Sequence, residues 1–368
     1  MAKHLWAQVH SESLIDPLAN LSRWHKPSCL AAITACYDLG VFQVMANGQG
    51  QPLSVTDIES KVGTDVDMLG RLLKHIAAMD YIKETDADTY APTNFSNALT
   101  IPTIGDSYPC FVKGLLPACL HFPAYLTQTN YATPTDVRSG AFQSAFKTEK
   151  NMFEYLTAHP PLGQQFNHHM GGYRLGQPNW MDPGFYPVNE RLVQGMAESD
   201  ATLLILAGPW VMISRILPRN IPMNPAAWYF RISRLSLTRY NRFIRRSSAR
   251  STTEQPVKAA RAYYLHSILH GWPDQVCKVI LKQVAGAMEP AYSKLLTHEN
   301  IIPSKGAEWE ATALDIMMAT LLSSKERTEE EGYALLEAPE LGPKISGIWK
   351  VSGAESLIEC TRLRDEMM

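Results

Sequence analysis

The chain has 368 residues, 45% hydrophobic and 19% charged, with a formal net charge of −2; that is an ordinary soluble make-up, long enough for two domains with full cores. The near-neutral charge gives no global electrostatic case for nucleic acid, and no apolar stretch reaches the length of a membrane span. The N-terminal MAKHLWAQVHSES lacks an apolar leader core, and the cysteines at 29, 36, 110, 119, 277 and 360 form no CxxC or CxxH pair, so the expectation is a cytoplasmic protein without disulfides or a zinc site.

Residues 17–46 carry apolar side chains at helical spacing, with Pro27 interrupting early. In PLSVTDIESKVG, Ser54 or Thr56 can cap a short helix. Thr64 or Asp65 then opens a further helix with Leu69, Leu72, Leu73 and Ile76 on one face. The polar run IKETDADTYAPTNFSNAL reads as a β-like tail. Three helices and a hairpin make a winged-helix pattern. Its third helix offers only Arg71 and Lys74 among acidic neighbours, so DNA is not the expected partner. Residues 101–200 read as mostly helical with aromatic and Pro breaks. The adjacent His168 and His169 point about 100° apart on a helix and cannot readily share a metal.

From residue 257 strands and helices alternate. KAARAYYLHSIL is a strand and a helix start, and DQVCKVILKQVAGAM is an amphipathic helix. SKLLTHENIIP is a buried strand, and EATALDIMMATLLS is a strongly apolar helix. RTEEEGYALLEAPEL is a helix with an acid-rich first turn, which suits the helix dipole. ISGIWKV and ESLIECTRL close the chain as strands. Such alternation predicts a doubly wound α/β domain.

Three residues fall where such sheets bind ligands. His270 ends an apolar run just before a Gly-Trp-Pro turn, Glu299 ends the next strand, and Glu326 stands at a helix start. A histidine flanked by two carboxylates can be oriented as a general base. Singly, each also has a plain structural reading.

Together these segments resemble the plant and fungal class I O-methyltransferases that use S-adenosyl-L-methionine. The resemblance covers nearly the whole chain. It runs through the winged-helix front and FNHHMGGYRLGQPNWMDPGFYPV, then TEQPVKAARAYYLHSILHGWPD, KLLTHENIIP and LLSSKERTEEE. It implies a winged-helix dimerisation domain at 1–105 and helices of a connector and substrate pocket at 106–195. A Rossmann-like methyltransferase domain follows at 196–368. It implies a homodimer acting on a hydroxyl of a small secondary metabolite, polyketide or phenol-like, with no nucleic-acid or membrane partner. His270 would take the hydroxyl proton, and Glu299 and Glu326 would bracket it. Pocket-lining side chains would come from the 110–180 helices and the 311–323 helix.

The chain departs from that family in one stretch. Between Leu204 and Ser251 there is no Asp, Glu or Lys, yet nine of the eighteen Arg and four Pro fall there. The family carries its glycine-rich cofactor loop and ribose-binding acid in this place. Only Gly208 is left as a candidate cofactor contact. Gly271 replaces an Asp, Gly332 stands where an aromatic is common, and His266 lies where plant members carry a Lys near the cofactor.

A shift of reading frame accounts for the stretch. Joining the third base of each codon to the first two of the next lets Leu204–Ile213 encode Asp-Ile-Gly-Gly-Ser-Leu-Gly-His-Asp. Four steps are forced because Trp and Met have one codon each. Trp210–Val211 gives Gly, Met212–Ile213 gives Asp, Met223–Asn224 gives Glu and Trp228–Tyr229 gives Val. All four fit the family pattern. Arg without acids and Pro in place of central strands predict an irregular segment over 204–251, the loss of the sheet's first two strands, and severely weakened cofactor binding. Two other outcomes remain open: a protein of this fold performing pericyclic or dehydration chemistry, and an inactive dimerising paralogue.

Overall fold

The computed structural model describes residues 17–173, 177–195, 203–207, 210–212, 255, 258–351 and 355–363. The chain divides into two compact units, Met1–His121 with Met152–Gly176 and Phe122–Asn151 with Gln177–Met368. Among the described residues no single helix is long and apolar enough to cross a membrane.

In the first unit, α1 (Pro17–Asp38), α2 (Val41–Asn47), α3 (Val55–Val62) and α4 (Val66–Ala78) pack with a three-stranded sheet. The sheet comprises β1 (Leu53–Ser54), β2 (Ile82–Asp86) and β3 (Thr89–Pro92), in the order β1-β3-β2. Ser54 begins α3 with a reciprocal capping box: its hydroxyl accepts from the Asp57 N–H, and the Asp57 carboxylate accepts from the Ser54 N–H. Gly63 ends that helix in the left-handed region at φ 67°, where glycine has no side chain to clash. Asp65 caps α4 by accepting from the Met68 N–H at 2.8 Å.

Leu69, Leu73 and Ile76 of α4 are fully buried beside Ile33, Cys36, Met45, Ile58 and Tyr90, whereas Leu72 is half-buried. The tail after residue 82 is only partly β. Thr93 and Ser96 form a capping box that starts a short helix at Asn94–Ala98, a local side-chain device that outweighs the strand-like composition. Lys74 of α4 pairs with Asp88 of the hairpin at 3.2 Å. A last helix of this unit, α5 (Leu162–Gly172), carries the two histidines. His168 Nδ1 meets Asp106 Oδ2 at 2.5 Å and His169 Nδ1 meets Ser107 Oγ at 2.9 Å, so they serve separate partners.

The second unit is a six-stranded sheet in the order β10-β11-β7-β6-β4-β5. Its strands are β4 (Leu203–Ala207), β5 (Trp210–Met212), β6 (Ala262–His266), β7 (Lys294–Glu299), β10 (Pro343–Trp349) and β11 (Ser356–Arg362). The strands β4, β6 and β7 are parallel; β11 and β10 add antiparallel on one side and β5 on the other. A short parallel pair, β8 (Ile301–Ile302) with β9 (Arg327–Thr328), lies apart from it. The connecting helices are α6 (Asp274–Ala285), α7 (Trp309–Leu322) and α8 (Glu329–Leu336). Tyr263, Leu265, Leu295 and Thr297 are buried as deeply as their neighbours at 262, 264, 296 and 298. Burial on both faces explains why these strands read as continuous apolar runs.

Glu359 anchors the 177–195 segment to this sheet. Its buried carboxylate accepts from Tyr186 (2.6 Å), Arg191 (2.7 Å), Lys294 (2.6 Å) and Ser346 (2.8 Å). Burial alone would raise this acid; its cationic and hydroxyl partners hold it below the ordinary range.

The acid-free stretch corrects one expectation. Its start does not lose the first strand: Leu203–Ala207 pairs with β6 from Leu203 opposite Ala262 to Ala207 opposite His266. Five aliphatic residues without Pro or charge suit a strand paired on both edges, whatever follows them. Gly208 and residues 213–250 lie outside the described residues.

Candidate active site

The site is built where β6 ends. Ser267 turns the chain at φ 50°, and the turn Leu269–Gly271 then presents His270. The imidazole Nδ1 lies 2.6 Å from Glu326 Oε1, and the Glu326 side chain is wholly buried. That bond leaves Nε2 as the ring atom able to meet a substrate proton.

Glu299, at the end of β7, plays a different part. Its carboxylate accepts from the backbone N–H groups of Ile268 (3.0 Å), Leu269 (2.8 Å) and His270 (3.4 Å). It fixes the turn and not the ring. The sequence thus named three residues that the fold does bring together, with Glu326 on the imidazole and Glu299 on the backbone that carries it.

Electrostatics follow from this packing. Burial pushes the His270 imidazole down, but the Glu326 bond and the charges of Glu299, Glu326 and Glu355 outweigh it and raise it to about 9. Burial pushes Glu299 up to about 7, opposed by His270 and aided by Glu326 and Glu355. A cavity of about 30 Å³ opens beside His270, lined also by Thr297, Glu299, Glu326, Arg327 and Gly332. A side chain at Gly332 would meet nothing within 4 Å. One at Gly271 would meet only Leu322, at an ordinary 3.6 Å, so neither glycine is demanded by crowding.

Arg327 was not visible as a site residue from the sequence. Its buried guanidinium donates to the carbonyls of Leu269 (2.9 Å) and Trp272 (3.0 Å) and to Asp274 Oδ1 (2.7 Å). The only sequence signal was its place directly after Glu326. Arg327→Met should cost about 2 kcal/mol in urea unfolding, because the Leu269 and Trp272 carbonyls each lose a charged donor while keeping the Trp272 N–H and the Ser324 hydroxyl. The half-exposed Asp274 adds little to that figure. An unchanged urea midpoint would show that the clamp does not hold the turn.

Residues 25–101 match the O-methyltransferase dimerisation domain and residues 247–339 the O-methyltransferase domain. The chain is 32% identical over 349 residues to O-methyltransferase mpaG of Penicillium brevicompactum, covering 91% of this chain and 86% of that protein. The chain belongs to the O-methyltransferase family. Another relative of this methyltransferase is the demethylsterigmatocystin 6-O-methyltransferase of Aspergillus parasiticus, 30% identical over 82% of this chain and 77% of that one. Solved structures of LepI with SAM (TM-score 0.78, 98% and 93% covered) and of OxaC (0.75, 97% and 90%) share its fold at 22% identity. It is a fungal-type S-adenosyl-L-methionine-dependent enzyme of secondary metabolism with an N-terminal dimerisation domain.

The cofactor half of this methyltransferase does not fit the cofactor. Only two residues separate Ala207 from Trp210, its antiparallel partner. The strand therefore returns at once as β5 and does not open into a helix N-terminus, the arrangement that grips an anionic or ribose-bearing ligand. No acid lies between 204 and 251 to take ribose hydroxyls.

Proposed function

We propose that the protein methylates a hydroxyl of a small polyketide or phenol-like metabolite, with His270 as the base, once its cofactor segment is read in frame. The observation that carries this reading is the His270–Glu326 bond on a turn pinned by Glu299. His270 Nε2 removes the acceptor proton, Glu326 stabilises the imidazolium that forms, and Glu299 keeps the ring at the end of β6. The acid-free stretch is the family's cofactor segment in a shifted frame, with the frame regained near residues 250–253. The protein works as a homodimer through its first unit, in the cytosol, without nucleic acid or membrane. The 1–105, 106–195 and 196–368 division assigns dimerisation, acceptor pocket and base in that order. A pericyclic reading has the shared fold for support and no residue of its own in this site.

The test is a methyl-transfer assay of the in-frame protein with phenolic acceptors across pH. The neutral imidazole is the working form. Its neighbours Glu326, Glu299 and Glu355 hold the proton on, while the nearby Arg327 cation is taken up by Asp274 and two carbonyls. The value of kcat/KM should therefore rise about tenfold per pH unit from 7 and level near 9. A profile flat across that range would remove His270 from the role of base.

A further inference from the structure

A second ionisable cluster stands on the opposite face of the same two strands. His266 of β6 and His298 of β7 are register partners. Side chains alternate across a strand, so His298 and its neighbour Glu299 face opposite ways. Tyr264, two residues before His266, and Leu296, two before His298, belong to the core cluster with Trp180, Phe185 and Tyr186. The Phe185 ring lies 6.0 Å from the His298 ring on that face. Glu355, just ahead of β11, completes a triad whose ligand atoms all lie within 4.8 Å of one another.

We propose that His266, His298 and Glu355 form a binding site for a divalent first-row transition ion of the zinc type. The donor set of two imidazoles and one carboxylate is the one that open three-ligand zinc and non-haem iron sites use. His266 Nε2 is 2.8 Å from Glu355 Oε2, and His298 Nε2 is 3.9 Å from the same oxygen. Tetrahedral bonds of about 2.0–2.1 Å place donor atoms about 3.3 Å apart. The two spacings straddle that value and all three donor atoms lie within 4.8 Å of one another, so side-chain rotation closes the set on an ion.

The surroundings also suit an ion. His298 Nδ1 lies 2.7 Å from the Tyr264 hydroxyl. With Nδ1–H donating to that oxygen, Nε2 carries its lone pair toward the triad, the outer-shell arrangement that orients metal-binding histidines. Ser267 Oγ donates to the other carboxylate oxygen at 3.3 Å. His298 and Glu355 are buried, while the His266 side chain keeps 16% of its surface exposed, which supplies an entry side. An ion there would tie the carboxyl ends of β6 and β7 to the start of β11. None of its ligands hydrogen-bonds the His270 ring, but Glu355 acts on that imidazole through its charge, so an ion held there would also lower the His270 imidazole.

The test is zinc titration of the full chain after chelator treatment, followed by calorimetry, with cobalt as the spectroscopic probe. One ion per chain and visible bands of four-coordinate cobalt are expected. Glu355→Gln and His266→Gln should each weaken binding at least ~100-fold, and Tyr264→Phe about 10-fold. Circular dichroism checks that each variant is folded. His270→Gln should leave the affinity unchanged. Zinc at 100 times its dissociation constant should shift the unfolding equilibrium about 100-fold. The proposal is overturned by no bound ion, by binding indifferent to both triad variants, or by binding lost with His270→Gln. The last result would move the ion to the other cluster.

Discussion

Titration of S-adenosyl-L-methionine into the chain as written is expected to give no saturable heat up to ~1 mM, whereas the chain carrying the in-frame residues over 204–251 should bind in the micromolar range. The difference is ~1,000-fold, or about 4 kcal/mol. Three losses combine to produce it. The glycine-rich turn that lets backbone approach the ligand is reduced to Gly208. The helix that should present its N–H groups is displaced by an immediate strand return, with Ala207 opposite Trp210. The acid that should accept from the ribose is missing from the entire stretch. A micromolar dissociation constant for the chain as written would overturn the expected loss of cofactor binding.

His270→Gln in the in-frame protein should lower kcat by 10²- to 10⁴-fold, the usual worth of a positioned base. Glutamine keeps the approximate volume, and the carboxylate of Glu299 still holds the backbone of residues 268–270. Cofactor affinity should therefore stay within about twofold, which separates loss of a base from loss of fold. Glu326→Gln is the companion variant. It keeps a hydrogen-bonding group near Nδ1 but removes the charge that stabilises the imidazolium, so a smaller fall in kcat of about 10- to 100-fold is expected. A His270→Gln protein turning over at the parental rate would show that the acceptor hydroxyl loses its proton to some other group.

Much of the fold was legible because its signals are local. Ser54 and Asp65 cap helices through side-chain oxygens placed three residues ahead of the N–H groups they accept from. The spacing of Leu69, Leu73 and Ile76 places them on one buried face. The apolar runs of β6 and β7 follow from burial on both sides. The misread tail after Pro92 turned on one hydroxyl pair, Thr93 and Ser96, within a composition that looked like strand. The loss expected for Leu203–Ala207 did not occur, since a short aliphatic run pairs with any apolar parallel neighbour.

The sequence by itself pointed to His270, Glu299 and Glu326 as one group, because their order and spacing resemble the family's pattern, and the fold does set them side by side. The sequence also showed that the cofactor segment departs from the family, because the absence of acids is a property of composition. Only the tertiary structure decided the division of labour, with Glu326 on the ring, Glu299 on the turn's backbone and Arg327 on its carbonyls. It alone brought His266, His298 and Glu355 together from positions spread over ninety residues. The reason is strand register: parallel pairing sets His266 beside His298, and antiparallel pairing brings the start of β11 to the same end. Register is fixed by the whole sheet and by no single segment, so no local spacing could announce it.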